Sequence, residues 1–304
     1  MITQGAFNLL FRPGLRKDFR DTYEQWEPEY PMYLKTGTTS EPEQRATIMA
    51  GLTRLVLRGD GEAVRYFDPK LGPQVLAVDR EFAAGYIVTR RTVEDDKYGK
   101  ANQGSKLLAH AARMTMEYQA AAFLDDFFTG TFFKGPDNLA FGHAAHTLLN
   151  SGSTVRNIPS SAVELSETGI NALMDLWTVL KDESGDPIRA WPDTLVIGTN
   201  PGDESTAIAI LNTKLQPFTA DNTDNVTRRR LPGLKLVTSH FKTNAKHYWL
   251  NSSKLNTAEL LVRRPIEFDD EFDFDTDAAK YKCTTRFLVW GGNDWRGWTG
   301  SNPS

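Results

Sequence analysis

The sequence of 304 residues has few features on which chemistry or membrane insertion would depend. Its single cysteine, Cys283, excludes an intrachain disulfide and any metal site built from several cysteines. No apolar run reaches about 18 residues, the length that a membrane-spanning helix needs, so no membrane partner is predicted. Cys283 lies in an alternating segment, 281–290, and we expect it to be a buried strand residue and not a reactive thiol.

Excess positive charge is also missing. The chain has 35 Lys and Arg against 39 Asp and Glu, which gives a net charge of −4. Proteins whose main task is to grip nucleic acid usually carry a basic face, because phosphate neutralisation dominates their affinity. The balance of charge therefore argues against a protein whose main task is to grip nucleic acid.

Known catalytic motifs are absent. The sequence has no Gly-x-Ser-x-Gly, no Gly-x-x-x-x-Gly-Lys-Ser/Thr and no His-Glu-x-x-His. One alternative is a metal or hydrolase site in the 129–163 loop, built from His143, His146 and the nearby Asp137. The glycines around the two histidines favour a loop. We predict that the chain is not an enzyme, with no catalytic residue, no metal site and no cofactor.

Residues 1–45 carry many aromatic side chains and, after Trp26, three prolines at Pro28, Pro31 and Pro42. Such a segment has little core of its own. We therefore expect its aromatic surface to pack against a neighbouring subunit. The N-terminus has neither a basic leader nor a small-residue cleavage site, so we expect synthesis and folding in the cytoplasm.

Residues 46–92 alternate between β-forming runs and turn residues. Strands are predicted at 52–58, 63–67 and 82–89, with a turn at 59–61 between the first two. A two- or three-stranded excursion of this kind is marginally stable by itself in water. It too needs an outside partner.

A long helix-forming run follows, from about Lys100 to Phe128. Its roughly 25–29 residues would span about 40 Å at 1.5 Å per residue, which is more than twice the usual helix of about 11–12 residues. Apolar residues recur along it at i, i+3 and i+4, which gives one apolar stripe. Asp95 and Asp96 stand near its start, where carboxylates oppose the positive end of the helix dipole. This pattern predicts a structural spine.

The second half of the chain mixes helices and strands and contains no internal repeat. A helix is predicted from Ser166 to about Asp182, and another, after a proline and an acid-rich turn, from Thr206 to Leu215. The predicted strands cover residues 194–198, 235–239, 246–250 and 281–290.

An acidic run at 267–277 holds seven carboxylates in eleven residues. Interleaved Phe268, Phe272 and Phe274 indicate an extended strand that is partly anchored. We expect charge pairing between subunits or domains, with solvated surface and a bound cation as the alternatives. The basic partners, from the same or an adjacent subunit, are Arg90–Arg91, Arg228–Arg230 and Arg263–Arg264.

Three local patterns resemble the major capsid protein, or major head subunit, of Mu-like tailed bacteriophages. They are the aromatic run Arg16–Phe19, the entry to the spine at Thr89–Gly99, and the strand-to-helix passage Pro192–Pro201. The resemblance covers nearly the full length of the chain. It implies an α+β class, the HK97-like phage capsid fold, with an N-arm, an extended β loop, a long spine helix in a peripheral domain and an axial α/β domain.

The resemblance also implies how the chain is divided. Residues 1–45 form the N-terminal arm and 46–94 the extended loop, a β hairpin. Residues 95–165 form the peripheral domain with the spine, 166–264 the axial domain, and 265–304 return to the peripheral domain.

The function implied is that of a structural major capsid protein, which self-assembles into the hexamers and pentamers of an icosahedral virion around double-stranded DNA. The partners implied are copies of itself, a scaffolding protein, a portal, decoration proteins and weakly contacted DNA. An accessory decoration or tail protein, or a hydrolase using the 129–163 loop, is the alternative. The predicted assembly residues are Phe7, Phe11, Phe19, Tyr23, Trp26, Tyr66, Phe67, Arg90, Arg91, Arg228, Arg229, Arg230, Asp269, Asp270 and Glu271.

Overall fold

The computed structural model describes residues 4–51, 54–95, 100–217, 223–273 and 275–303, and for residues 4–13, 93–94 and 100–102 it describes the backbone alone. The helices are α1 (Gln4–Glu24), α2 (Arg90–Glu94), α3 (Lys100–Asp126), α4 (Glu167–Thr178), α5 (Pro201–Asn212) and α6 (Val226–Arg230). The strands are β1 (Lys35–Thr38), β2 (Glu43–Ala50), β3 (Lys70–Val78), β4 (Arg80–Thr89), β5 (His146–Thr147), β6 (Thr154–Val155), β7 (Thr194–Ile197), β8 (Lys235–Thr238), β9 (Tyr248–Asn251), β10 (Glu259–Asp273), β11 (Ala278–Trp290) and β12 (Trp298–Ser301).

The predicted spine is confirmed as α3, a helix of 27 residues. Its length is about 40 Å at 1.5 Å per residue. Leu108, Ala112 and Met116 are buried and recur every fourth residue, so they form the apolar stripe that faces the rest of the chain.

The spine ends at Asp126, two residues before the predicted end. The reason is the Asp126 carboxylate, which accepts the backbone N–H groups of Thr131, Phe132 and Phe133 at 2.8, 2.7 and 2.6 Å. Burial alone raises the pKa of this carboxyl, but these hydrogen bonds bring it below its ordinary value. The chain therefore turns back at once instead of continuing the helix.

A four-stranded sheet in the order β1-β10-β11-β4 lies against the spine. The pairs β10–β11 and β11–β4 are antiparallel, and β1 runs parallel to β10. Side chains alternate between the two faces of each strand. On the face toward the spine, Leu260 and Phe287 join a buried cluster with Met116 and Phe123 of α3.

The opposite face of the same sheet carries the hairpin of β2 and β3. Ala46 and Val75 of the hairpin pack against Leu261, Leu288 and Trp290 of the sheet. The register of the two strands pairs Glu43 with Val78 and Ala50 with Lys70. This packing fixes the direction in which the hairpin leaves the body of the chain.

The strands predicted at 52–58 and 63–67 are wrong for every described residue of those ranges, since 54–67 contains no strand. The ladder of hydrogen bonds between β2 and β3 ends at the pair Ala50 and Lys70, and none of the described residues 54–67 continues it. The predicted turn is confirmed: Glu62 N–H donates to Gly59 O at 3.2 Å. Gly61 has φ +81°, a conformation that favours glycine. The strand predicted at 82–89 is confirmed as β4.

The expectation that the first segment lacks partners within its own chain is wrong for α1. This helix packs along α3, with Leu15 and Phe19 buried. Leu15, Phe19 and Tyr23 are four residues apart, which places them on one face of the helix. The last part of the segment, β1, is hydrogen-bonded to β10.

The rest of the chain builds a second sheet in the order β12-β9-β7-β8, covered by α4 and α5. Helix α4 begins where Ser166 Oγ accepts the Gly169 N–H at 3.0 Å, as predicted. Helix α5 begins at Pro201, five residues earlier than predicted, because proline suits the first turn of a helix. The final strand, β12, pairs with β9 and so ends the chain in this second sheet.

Candidate assembly surfaces

The most exposed apolar surface is the loop tip, which we define as residues 54–67. Leu55, Leu57 and Tyr66 are 97%, 96% and 90% exposed. The two arms of the tip enclose a concavity of about 860 Å³ that these side chains help to line. Fully burying one large apolar side chain is worth about 1.5–3 kcal/mol. A cluster of them in water therefore marks an interaction site.

The base of the loop tip, in contrast, is held by the body of the chain. The Gly51 carbonyl accepts hydrogen bonds from Asn150 Nδ2 at 3.2 Å and from Ser184 Oγ at 3.3 Å. Arg54 forms an ion pair with Asp186. These contacts fix where the tip begins, while the apolar side chains beyond them point into solvent.

The other end of the hairpin is fixed by Asp79, which lies between β3 and β4. Its carboxylate is 1% exposed and pairs with Arg263 Nη1 and Arg286 Nε, both at 2.9 Å. Burial alone raises the pKa of Asp79, but the hydrogen bonds and charges of the two arginines bring it below its ordinary value. Sequence reasoning missed this residue, because a lone aspartate beside a turn gives no sign of distant arginine partners.

Two of the predicted assembly aromatics on α1 pack within their own chain. Phe19 is 6% exposed, and its ring centroid lies 4.9 Å from that of Phe268. The Arg113 guanidinium lies 4.0 Å from the centroid of the Tyr23 ring. Tyr23 Oη also contacts Met116 Sδ at 3.4 Å. Because α3 and β10 cover the Phe19 side chain within the single chain, its interface role stays a prediction.

The remaining predicted aromatics of this segment differ from Phe19. Trp26 is 49% exposed and touches His110 edge-on, with the ring centroids 5.4 Å apart. Phe7 and Phe11 belong to α1, but their side chains lie outside the described residues. Of the two aromatics predicted near the hairpin, Tyr66 is nearly fully exposed and Phe67 is 46% exposed.

The acidic run forms the outer half of β10, as the interleaved phenylalanines predicted; Phe274 lies outside the described residues. Alternation puts Asp269 and Glu271 on the solvent side and Asp270 on the side of α1. The outward carboxylates stand opposite lysines of β11, with Asp269 beside Lys282 and Glu271 beside Lys280 in the register. Opposite charges in such cross-strand positions stabilise the pair modestly.

Several partners of the acidic run come from the same chain. Arg16 Nη2 reaches Asp270 Oδ1 at 3.2 Å, and Lys280 Nζ reaches Asp273 Oδ2 at 2.6 Å. Two of the predicted arginines also contribute. Arg90 lies 3.7 Å from Asp277, and Arg264 lies 3.9 Å from Glu267. Arg91 lies 3.9 Å from Asp95 instead.

The arginine triplet Arg228–Arg230 does not meet the acidic run within the chain. It forms α6, which begins where Asn225 Oδ1 accepts the Arg228 N–H at 2.9 Å. Arg229 pairs with Asp224 at 3.4 Å, and Arg230 pairs with Asp175 at 3.0 Å. The triplet therefore belongs to the surface of the second sheet and its helices.

The two histidines of the 129–163 loop do not form an open reactive site. His146 is completely buried. Its Nδ1 lies 2.5 Å from Asp137 Oδ2, and its Nε2 lies 3.3 Å from Asn157 Oδ1. Both ring nitrogens are thus engaged, and no substrate reaches them. Among the described residues, no three His, Cys, Asp or Glu side chains come together in a way that would hold a metal ion.

Comparison with known proteins identifies the family. A sequence profile described as "Phage capsid protein" matches residues 75–300, which is well over half of the chain. The chain belongs to this family of phage capsid proteins. The match begins within β3 and includes β4, the spine, β10, β11 and the second sheet up to residue 300, while β1 and β2 lie outside it. No curated protein matches the chain.

Solved structures with the same fold come from viruses and virus-like particles. A chain of Microbacterium phage Oxtober96 has a TM-score of 0.57 at 10% identity, covering 92% of each chain. A virus-like particle from Pyrococcus furiosus has a TM-score of 0.56 at 10% identity, covering 96% of this chain and 100% of the other. The procapsid of bacteriophage JBD30 has a TM-score of 0.56 at 13% identity, covering 100% of this chain and 77% of the other.

These findings confirm the HK97-like phage capsid fold and a structural role as a major capsid protein, and they do not favour the accessory or hydrolase alternatives. The narrower resemblance to Mu-like phages stays a prediction. So does the division into five segments. None of the described helices is long and apolar enough to cross a membrane.

Proposed function

We propose that the chain self-assembles into the hexamers and pentamers of an icosahedral phage head that encloses double-stranded DNA, and that it has no catalytic activity. The observation that carries this proposal is the loop tip, whose leucines and tyrosine are almost fully exposed in the single chain. An apolar surface of this kind on a capsid protein is best covered by a second copy of the same protein. Each contact need only be modest, because a closed shell repeats it many times.

The proposed assembly surface comprises the loop tip and the charged residues of the outer sheet and of α6. Tyr66 and Phe67 would supply apolar contacts, and Asp269, Glu271 and Arg229 would supply charges that remain exposed. Other predicted residues stay in the proposal although they have partners in the chain: Trp26, Arg90, Arg91, Arg228 and Arg230, which are partly or fully exposed, and Asp270, whose side chain is 6% exposed. Phe7 and Phe11 stay as predictions from the sequence.

The net charge of −4 supports a container that lets DNA enter without adhering to it. We propose weak, non-specific contact with the packaged DNA. A scaffolding protein, a portal and decoration proteins are the further partners that the capsid family implies. Assembly in the host cytoplasm and residence in the virion complete the proposal.

The proposal is tested with the double substitution Leu55→Ser and Tyr66→Ser. Val179→Ser is the matched control, because Val179 is also exposed (55%) but lies at the end of α4, far along the chain from the loop tip. Purified chains would be compared by sedimentation and electron microscopy. We expect shells from the parent and the control, and only small species from the double variant with unchanged thermal unfolding.

Shells of normal number and size from the double variant would contradict a role for the loop tip. A parent chain that stays strictly monomeric under all conditions, including expression with its neighbouring phage proteins, would contradict self-assembly itself.

A further inference from the structure

The hydrogen bonds around His146 define where its protons must be. The key neighbour is Asn157, whose side chain has only one possible orientation. Its Nδ2 donates to the carbonyls of Phe141 and Trp298 at 2.8 and 3.2 Å. Its Oδ1 accepts the His143 N–H at 2.8 Å. Exchanging the amide oxygen and nitrogen would break all three hydrogen bonds, so the atom that faces His146 is an oxygen.

This orientation requires a donor on His146. Asn157 Oδ1 is an acceptor, so His146 Nε2, at 3.3 Å, must carry a hydrogen. Nδ1 faces the Asp137 carboxylate at 2.5 Å and must carry a hydrogen as well. A neutral imidazole has only one N–H group. Both contacts are satisfied together only by the imidazolium ion.

The surroundings of the ring suit a cation. His146 lies flat on the Trp295 ring, with the centroids 3.9 Å apart and the planes 10° from parallel. The face of an indole attracts positive charge. Burial alone raises the pKa of Asp137, but the hydrogen bond and charge of His146 bring it below its ordinary value. The carboxylate is therefore ionised and available as the counter-charge.

Other charged groups near the ring already have partners of their own. Arg296 lies over Trp295, 4.7 Å from the ring centroid, and pairs with Asp294 and Glu183. Among the described residues, a further titratable neighbour is His143, whose ring centroid lies 5.7 Å from that of His146 and whose Nδ1 accepts the Ala145 N–H.

The imidazolium sits under the base of the loop tip. His146 begins β5, and the segment that follows it supports the hairpin. Leu149 N–H donates to Glu183 Oε2 at 2.7 Å, and the Leu149 side chain lies against Gly72 of β3. Asn150 Nδ2 donates to the Gly51 carbonyl. A connected set of side chains thus lies beneath the hairpin. We name it the loop platform, and it comprises Asp137, His146, Trp295, Arg296 and Glu183.

We propose that His146 is held as a doubly protonated imidazolium that locks the loop platform and so holds the base of the loop tip. The physical reason is that removing the Nε2 proton leaves a lone pair facing the Asn157 oxygen inside the protein. Removing the Nδ1 proton instead leaves a lone pair facing the Asp137 carboxylate. Either state costs a buried charged hydrogen bond. The lock is a property of the single chain and does not depend on assembly.

The first test is nuclear magnetic resonance of the unassembled chain with ¹⁵N-labelled histidine at pH 8. An ordinary histidine with a pKa of about 6.5 is almost entirely neutral there. We expect both ring nitrogens of His146 to carry a proton, with the signal assigned by its loss in His146→Gln. His143→Gln is the control and should leave that signal in place. A single protonated nitrogen on His146 at pH 8 in the folded chain would overturn the proposal.

The second test is hydrogen–deuterium exchange of the unassembled parent chain and of Asp137→Asn, both at the same pH. Amides around Gly51 and Gly72 should lose protection by on the order of tenfold in Asp137→Asn, the effect of one charged hydrogen bond. Amides of α4 are the internal control and should not change with them. Equal protection of the Gly51 and Gly72 amides in the two chains, or a loss that falls equally in α4, would contradict the lock.

Discussion

The helix α1 and the loop tip both looked like unsupported aromatic segments, but they behave in opposite ways. Phe19 of α1 is 6% exposed and Phe67 of the loop tip is 46% exposed, although both are phenylalanines in the first quarter of the chain. Phe19 has α3 and β10 to pack against, whereas the tip extends beyond the last rung of its hairpin. An aromatic segment therefore indicates an assembly surface only where no apolar surface of its own chain packs against it.

The contrast follows from local periodicity. Leu15, Phe19 and Tyr23 share one face of a helix. Leu15 packs against β4 and β11 of the sheet, and the other two pack against the stripe of the spine. The loop tip has no helical period and no strand partner, so its apolar side chains cannot be covered by the same chain. Substitutions in the two regions should then separate folding from assembly. The following predictions run from the largest to the smallest effect on unfolding of the unassembled chain.

Phe19→Ala should lower the free energy of unfolding by about 3–4 kcal/mol, because it leaves a cavity under α1. The matched variant Phe67→Ala removes the same atoms from a half-exposed site and should cost less than about 1 kcal/mol. Chemical denaturation of both variants measures the difference. Equal losses would mean that α1 is as loosely held as the loop tip.

Asp79→Asn should lower the free energy of unfolding by about 2 kcal/mol, because two arginines lose a buried counter-charge. The figure is below that of a fully buried pair, since Arg263 and Arg286 are partly exposed. The pKa of Asp79 is lowered in the folded chain, so its contribution is present above its ordinary pKa of about 3.9 and disappears as pH falls below that value. Denaturation at pH 7 and pH 2.5 should show a smaller acid loss in the variant than in the parent.

Arg16→Gln should cost about 1 kcal/mol or less, because the Arg16 guanidinium is 56% exposed and solvent screens its pairing with Asp270. The control is Arg20→Gln, whose partner Glu24 lies in the same helix. Proteolysis of α1 should be faster in Arg16→Gln than in Arg20→Gln, since of these two arginines only Arg16 forms an ion pair with β10. Identical rates would remove this contact from the account of how α1 is held.

Leu57→Arg should change the free energy of unfolding by less than about 0.5 kcal/mol, because Leu57 is 96% exposed. It should nevertheless prevent assembly, since a charge would be carried into the contact between copies. Light scattering during assembly measures this effect. A loss of stability comparable to that of Phe19→Ala would show that the tip is packed within the chain after all.

The sequence predicts the elements that have a strong period and misses those that depend on distant partners. The spine and β11 follow from their 3.6- and 2-residue periods. Helix α1 was missed although its stripe is present, because Pro13 and Gly14 lie inside it and normally interrupt a helix. Packing against α3 outweighs that local preference.

In the candidate surfaces, too, the features with a local pattern could be predicted and those with distant partners could not. The exposure of Tyr66 and the alternation of the acidic strand could be predicted from the pattern. The pairing of Asp79 with two arginines and the burial of His146 could not, because their partners lie far away in the sequence. Such contacts depend on the three-dimensional fold and leave no local spacing to recognise.

The most direct measurement is hydrogen–deuterium exchange of the chain before and after shell assembly. The account predicts that residues 54–67 exchange at nearly the unstructured rate in the unassembled chain and become strongly protected in shells, while residues 14–24 are protected in both. Rapid exchange of residues 54–67 in finished shells, or protection of α1 that appears only on assembly, would contradict it.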